Sequence, residues 1–206
     1  MPLLEKSVHE AIPGWAYWEE IQALYEYAMK APDGNFAELG VWAGRTAIPL
    51  ALAAQDRNSK LFAIDPWESE NVTHRHVSWQ MNVAHEIFLT NLKTLDLERY
   101  VYIITRPGLH AAAEYPLVHL QPLSLVHIDA VDAGWEHFAL LTVWWNLLIP
   151  GGYMFVHDVK KLPEGMGHES GRPDMGVLRA TERWELLSGV KRHGETLGHW
   201  IYRKEK

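Results

Sequence analysis

The chain has 206 residues, 48% apolar and 22% charged, which suits a single globular domain with a full core. Its net charge of −7, spread without blocks, argues against a duplex nucleic-acid binder, which needs a basic face. There is no cysteine for a disulfide or thiolate metal site, and no apolar run near the roughly 20 residues of a membrane span. Glu5, His9 and Glu10 stand where a leader peptide would need an apolar core, so the expectation is a soluble, cytoplasmic protein with neither nucleic-acid nor membrane partners.

Apolar positions at Trp15, Trp18, Ile21, Leu24, Tyr25 and Ala28 have helical spacing and predict a helix over 14–30, stopped by Pro32-Asp33-Gly34. The apolar run 35–39 predicts a strand broken by Gly40, and 46–55 a helix. A second strand, 60–64, ends at Asp65-Pro66; a helix follows over 77–95. A third strand is expected over 100–104, a short helix over 111–115, and a fourth strand over 123–128 ending at Asp129. The helix 135–148 is closed by Pro150-Gly151-Gly152, and a fifth strand, 153–156, ends at His157-Asp158. Loop composition marks 159–176. A last helix covers 177–187, and 191–193 with 199–202 read as an antiparallel hairpin around Gly194 to Gly198.

Strands alternating with helices mean a mostly parallel sheet with helices on both faces, seven strands counting the C-terminal antiparallel hairpin. Residues 1–33 are expected to form a helical cap or lid and 34–206 the ligand-binding domain. In such sheets ligands sit at the carboxyl ends of the strands, where the chemistry-bearing motifs of this sequence fall. Ten tryptophans and twelve histidines form a second bias. Trp15, Trp18, Trp42, Trp67, Trp79 and Trp135 either pack or wall an aromatic pocket for a flat, apolar substrate.

The first strand runs into Glu38-Leu39-Gly40-Val41-Trp42-Ala43-Gly44-Arg45-Thr46. Two glycines in a strand-to-helix turn let the backbone approach a ligand where a Cβ would obstruct. Asp65 follows at the end of the second strand, about twenty residues on, where an acid can accept hydrogen bonds from ribose hydroxyls. The pair points to an adenosine-containing ligand. Alone, the turn is only a tight connection and Asp65 only a helix cap or loop ion pair.

The run Phe36-Ala37-Glu38-Leu39-Gly40 to Gly44 resembles motif I of class I S-adenosylmethionine-dependent methyltransferases. Ala63-Ile64-Asp65-Pro66-Trp67-Glu68 followed by Phe88 and Asn91 looks like the next blocks of one branch, the macrocin- and novobiocin-type small-molecule O-methyltransferases. Val126-His127-Ile128-Asp129-Ala130, Trp144-Trp145-Asn146-Leu147-Leu148-Ile149-Pro150-Gly151-Gly152 and His157-Asp158 resemble that branch closely, without a gap between His127 and Trp144. The resemblance covers roughly 34–203. It implies a Rossmann-like fold and S-adenosylmethionine as cofactor, with Glu38, Gly40, Trp42, Gly44 and Thr46 shaping the methionine end. Asp65 and Pro66 would then lie at the ribose, Trp67 would border the adenine, and Asp129 would stand beside the cofactor. The loop after strand three, Thr105 to His110, lacks the acid or serine common in relatives, leaving Gly108 backbone and His110 for the adenine. Members of the branch often form dimers or higher oligomers.

Asp129 and Asp158 end strands that the resemblance makes neighbours, and strands lie about 4.8 Å apart. Two carboxylates so placed can grip Mg²⁺, which would hold and acidify a substrate hydroxyl. Against this, Val159 stands where metal-dependent relatives carry a third oxygen ligand, and Val131, Asp132, Gly134 and Leu140 replace an Asp, a His, a Tyr and an acid. Asp132 is the substitute third ligand or, without metal, the general base. His127 is expected to point to the same side as Asp129 and is either catalytic or a satisfied core residue; His157 reads as structural. The loop 159–176 is either a lid over the substrate or a solvated surface segment.

The leading expectation is methyl transfer to a hydroxyl of a small molecule, a sugar, phenol or natural product. A protein of the same fold that is metal-independent, or has lost or changed the chemistry, stands second. A nicotinamide-dependent oxidoreductase stands third, disfavoured by the missing third glycine.

Overall fold

The computed structural model describes residues 3–67, 80–118, 122–130, 134–160 and 175–205. Two helices lead the chain, α1 (Lys6–Ala11) and α2 (Trp18–Lys30). β1 (Asn35–Leu39), α3 (Ala47–Asp56), β2 (Leu61–Ile64), α4 (Gln80–Thr94) and β3 (Val101–Ile104) follow. Next come α5 (Gly108–Val118), β4 (Leu123–Ile128), α6 (Gly134–Leu147) and β5 (Leu148–Val156), then α7 (Met175–Ser188) and the hairpin β6 (Arg192–Glu195) and β7 (Trp200–Arg203). The strands form one sheet in the order β3-β2-β1-β4-β5-β7-β6. Its first five strands are parallel, and β7 runs antiparallel to β5 and β6. This is the mostly parallel, seven-stranded architecture expected.

β1 and β4 are buried along their whole length because helices cover both faces of the sheet. On one face Phe36, Leu125 and Phe155 pack with Leu24 and Ala28 of α2, Ile48 of α3 and Phe88 of α4. On the other, Leu39, Ile64 and Val126 pack with Tyr115 of α5, Trp144 of α6 and Trp184 of α7. α3 is buried from Ala47 to Ala54, so it lacks the one-sided apolar stripe of a surface helix.

Several elements depart from the sequence reading. α1 was not expected, and α2 begins at Trp18 rather than at 14. β5 begins at Leu148, so Pro150-Gly151-Gly152 lies inside the strand. The pairing with β4 shifts register there, Gly151 takes φ +84°, and its N–H donates to the Lys204 carbonyl. The strand thereby absorbs the proline as a bulge. α5 extends over Gly108–Val118, longer than the segment expected.

The register sets the site. Leu39 is level with Ile64 and Ile128, and Ile128 with Val156. The next residues therefore form a row along the carboxyl edge: Asp65, Gly40, Asp129 and His157. Backbone bonds continue across it, from Gly40 N–H to Ile64 O (2.9 Å), Asp129 N–H to Leu39 O (2.9 Å) and His157 N–H to Ile128 O (3.0 Å).

Candidate active site

The glycine turn is held by its neighbours on the row. Gly40 has φ +83°, and a Cβ there would overlap the carbonyl oxygen of Asp129 and lie 2.6 Å from its carbonyl carbon. Gly44 has φ +89°, and a Cβ there would overlap the ring of Phe88. In the structure, both glycines answer to positive φ and to contact with β4 and α4, besides the ligand approach expected of them. Trp42 (φ +47°) and Trp67 (φ +46°) are left-handed too, an uncommon conformation for bulky residues. The buried carboxylate of Asp65 holds both, accepting from Trp42 N–H (2.9 Å) and Trp67 N–H (2.8 Å). The Trp67 indole N–H donates to the Trp42 carbonyl (2.8 Å), and its ring stacks on His85 at 4.3 Å. Burial pushes the Asp65 carboxyl up, while these backbone donors pull it down. Pro66 follows, half-buried.

Glu38, opposite His127 in the register, is fully buried. Its Oε1 accepts from the Thr46 hydroxyl and from Nδ1 of His127 (3.1 Å). Burial raises its pKa, against the bonds from His127 and Thr46. His127 has no exposed surface and braces Glu38 from the core. Its Nε2 lies 2.9 Å from Nε2 of His199, which precedes β7.

Arg45, the residue after the second glycine, was missed by sequence reasoning. Its guanidinium donates to the carbonyls of Glu10 (2.8 Å), Ile12 (2.8 Å), Gly14 (2.6 Å) and Ala16 (3.3 Å). Trp15 stacks on Trp42 with ring centroids 4.5 Å apart. The N-terminal segment is thus clasped directly to the glycine turn.

The neighbour of Asp129 on the row is His157, one residue earlier than the expected Asp158. β5 ends at Val156, and Asp158 takes φ +60° beyond it. Nδ1 of His157 lies 3.2 Å from a carboxylate oxygen of Asp129 and 3.2 Å from one of Asp158. Burial works against a charge on His157, but Asp129, Asp158 and Glu20 outweigh it and hold the imidazole protonated well above its ordinary range. His157, read from the sequence as structural, thus stands between the two strand-end carboxylates.

The expected Mg²⁺ site can be tested on this geometry. Asp129 and Asp158 offer carboxylate oxygens, yet Nδ1 of His157 faces both, and Val159, in the third-ligand position, is buried and apolar. Asp129, His157 and Asp158 each bring a donor atom within 4.8 Å of the others, and Mg²⁺ takes one or two carboxylates while keeping several waters, so the two carboxylates are in place but share their approach with an imidazole; Asp132, the substitute third ligand, lies outside the described residues.

Elsewhere on this edge, Gly108 packs against Leu39 and Leu140, its carbonyl accepts from the Trp144 indole (3.2 Å), and His110 is exposed on the first turn of α5. α6 and α7 pack against each other and line a cleft of about 670 Å³ with Trp135, Phe138, Met175, Ala180, Arg179 and Arg183. Trp135 is 74% exposed there, whereas Trp144, Trp184 and Trp67 are core residues, so the tryptophan bias divides between packing and a pocket wall. Trp79 and 161–174 of the expected lid lie outside the described residues.

Comparisons with known proteins agree with this geometry. A family model described as a methyltransferase domain matches residues 37–159. No curated protein matches the chain by sequence. Among solved structures, the O-methyltransferase NovP is similar at 14% identity, covering 98% of this chain and 89% of its own, with a TM-score of 0.66. TomG of Streptomyces achromogenes, an O-methyltransferase solved with S-adenosylmethionine, is similar at 18% identity, 97% and 86% coverage and a TM-score of 0.64. CalS11, a TDP-rhamnose 3'-O-methyltransferase, is similar at 14% identity, 89% and 76% coverage and a TM-score of 0.55. With motif I on the glycine turn and the family match running from β1 through Val159, the chain belongs to the methyltransferase-domain family and is a class I S-adenosylmethionine-dependent methyltransferase.

Proposed function

We propose that the protein methylates a hydroxyl of a small-molecule acceptor, with Asp129 taking the hydroxyl proton. One observation carries the reading: the cofactor turn and Asp129 are in backbone contact at Gly40, so the methyl donor's cradle and a partly exposed carboxylate adjoin. The turn also fits a ligand chemically. Oε2 of Glu38 and the indole N–H of Trp42 are buried polar atoms without a hydrogen-bond partner among the described residues, which a bound molecule would satisfy. The glycine turn, Glu38 and Thr46 would hold the methionine end of S-adenosylmethionine, Asp65 the ribose, and Gly108 with His110 the adenine. When bound, the cofactor supplies an electrophilic methyl group on a sulfonium.

The chain's own work is then binding, orientation and proton removal. The cleft between α6 and α7 takes the apolar body of the acceptor against Trp135 and Phe138, and Arg179 and Arg183 favour an anionic substituent. Asp129 accepts the hydroxyl proton as the nucleophile forms. His157 faces Asp129 and fixes its orientation while supplying the positive charge that relatives take from a metal, so no step is routed through Mg²⁺.

The test is transfer of a labelled methyl group to a panel of phenols and sugars, with and without Mg²⁺, by wild type and Asp129→Asn. The reading expects labelled ether products, little Mg²⁺ dependence, and loss in the variant. Methylation at nitrogen or carbon only, or full activity in Asp129→Asn, would contradict it.

A further inference from the structure

Behind the strand-end row lies a second cluster with a different composition. Glu20 of α2 is fully buried. Its Oε2 accepts from the Tyr17 N–H (2.7 Å), closing the start of the helix, but its Oε1 has no hydrogen-bond partner among the described residues. That oxygen faces two imidazole nitrogens, Nδ1 of His199 at 3.5 Å and Nε2 of His157 at 3.6 Å. Both separations exceed hydrogen-bond length. They match instead the donor–donor edge of a four-coordinate cation with bonds of about 2.0–2.1 Å, which is about 3.3–3.4 Å. All three donor atoms lie within 4.8 Å of one another.

The surroundings orient each imidazole as a ligand. Nδ1 of His157 lies 3.2 Å from carboxylate oxygens of Asp129 and Asp158 while Nε2 turns toward Glu20, so a metal at Glu20 would take the place of the Nε2 proton. Nδ1 of His127 donates to Glu38, so Nε2 of His127 accepts from Nε2–H of His199, leaving Nδ1 of His199 bare. Histidine ligands of metals are oriented in this way, with the second ring N–H held by a carboxylate or another acceptor. The Thr196 hydroxyl, 3.0 Å from Nδ1 of His199, can turn its proton to that nitrogen or offer a lone pair as a fourth donor. The space is kept open by Gly198: a Cβ there would overlap Oε1 of Glu20 and lie 3.0 Å from Nε2 of His157.

We infer that Glu20, His157 and His199 form a binding site for a divalent transition metal of the zinc class, joining the N-terminal helix to the β5–β7 edge. Two imidazoles and a carboxylate suit borderline cations of that class. Binding would release the Nε2 proton of His157 to solvent and put the metal's charge in its place, so positive charge remains beside the strand-end carboxylates. The site differs in position and donors from the Asp129–Asp158 pair, although His157 touches both.

The full-length protein, stripped with chelator, is titrated with Co²⁺ and then Zn²⁺, following visible absorption and bound metal per chain. The inference expects one Co²⁺ per chain with the bands of a low-coordinate ion, displaced by one Zn²⁺. It expects loss of at least about 10-fold in affinity in Gly198→Ala, and loss of the bands in Glu20→Gln and His199→Gln, with Asp158→Asn retaining them. Wild-type protein without these bands overturns the proposal whatever the variants do. So does binding that survives Glu20→Gln and His199→Gln but is lost in Asp158→Asn, which would place the ion at the exposed carboxylates.

Discussion

Replacing Gly40 with alanine separates two demands that the glycine turn makes. The residue sits at φ +83°, where an L side chain costs about 1–2 kcal/mol. The added Cβ would also overlap the Asp129 carbonyl, forcing β1 and β4 apart at their ends, an overpacking cost of about 1–3 kcal/mol. Gly189 supplies the control, because it has φ +71° with nothing within 4 Å of an added Cβ. Gly189→Ala therefore carries the backbone cost alone. Gly40→Ala should be less stable than Gly189→Ala by about 1–3 kcal/mol, a further fall in melting temperature of about 2–12 °C for a chain of this size. Thermal unfolding by circular dichroism measures both, and binding of S-adenosylhomocysteine should weaken only in Gly40→Ala. Equal melting temperatures in the two variants, with binding intact, would refute the contact between cofactor turn and β4.

Three further predictions follow from single residues. His9 is buried, and burial, then the Arg45 charge, push its pKa down to about 4 from 6.5. The unfolded chain therefore takes up this proton first; its share of stability, about 3 kcal/mol, is full above pH 6.5 and lost as pH falls toward 4. Urea unfolding of wild type and His9→Phe over that window should show a much flatter pH dependence in the variant; parallel curves would exclude the assignment. Arg45→Lys cannot reproduce a planar fork serving four carbonyls, so it should release residues 3–17 to limited proteolysis before global unfolding, and unchanged protection would contradict the clasp. Asp129→Asn should lower kcat by about 10²–10⁴-fold, the usual worth of a positioned base, with S-adenosylhomocysteine affinity within about 2-fold of wild type; a kcat within 10-fold would remove Asp129 from that role.

Much of the scaffold was legible because its strands are short apolar runs that stop at Gly40, Asp65 and Asp129, where the chemistry begins. β1 and β4 have the limits that composition predicts. β5 does not, because Pro150-Gly151-Gly152 reads as a stop in one dimension and becomes a bulge only when Lys204 pairs with Gly151. α1 escapes notice as a six-residue helix without a side-chain cap, whose following loop is fixed by Arg45 from elsewhere in the chain. The step from Asp158 to His157 as neighbour of Asp129 depends on the register of β5, which alternation alone does not fix. Glu20 and His199 carried no local signal at all. One serves a helix start and the other follows a turn, and only the antiparallel return of β7 brings them to His157.

The central claim is that the glycine turn and Asp65 bind an adenosylmethionine-type cofactor. Thermal unfolding of wild type and Asp65→Ala with S-adenosylhomocysteine and, separately, NAD⁺ tests it most directly. At about a hundred times its dissociation constant, S-adenosylhomocysteine should stabilise wild type by about 2.7 kcal/mol and leave Asp65→Ala unmoved. Stabilisation by NAD⁺ alone, or none by S-adenosylhomocysteine, would contradict the account.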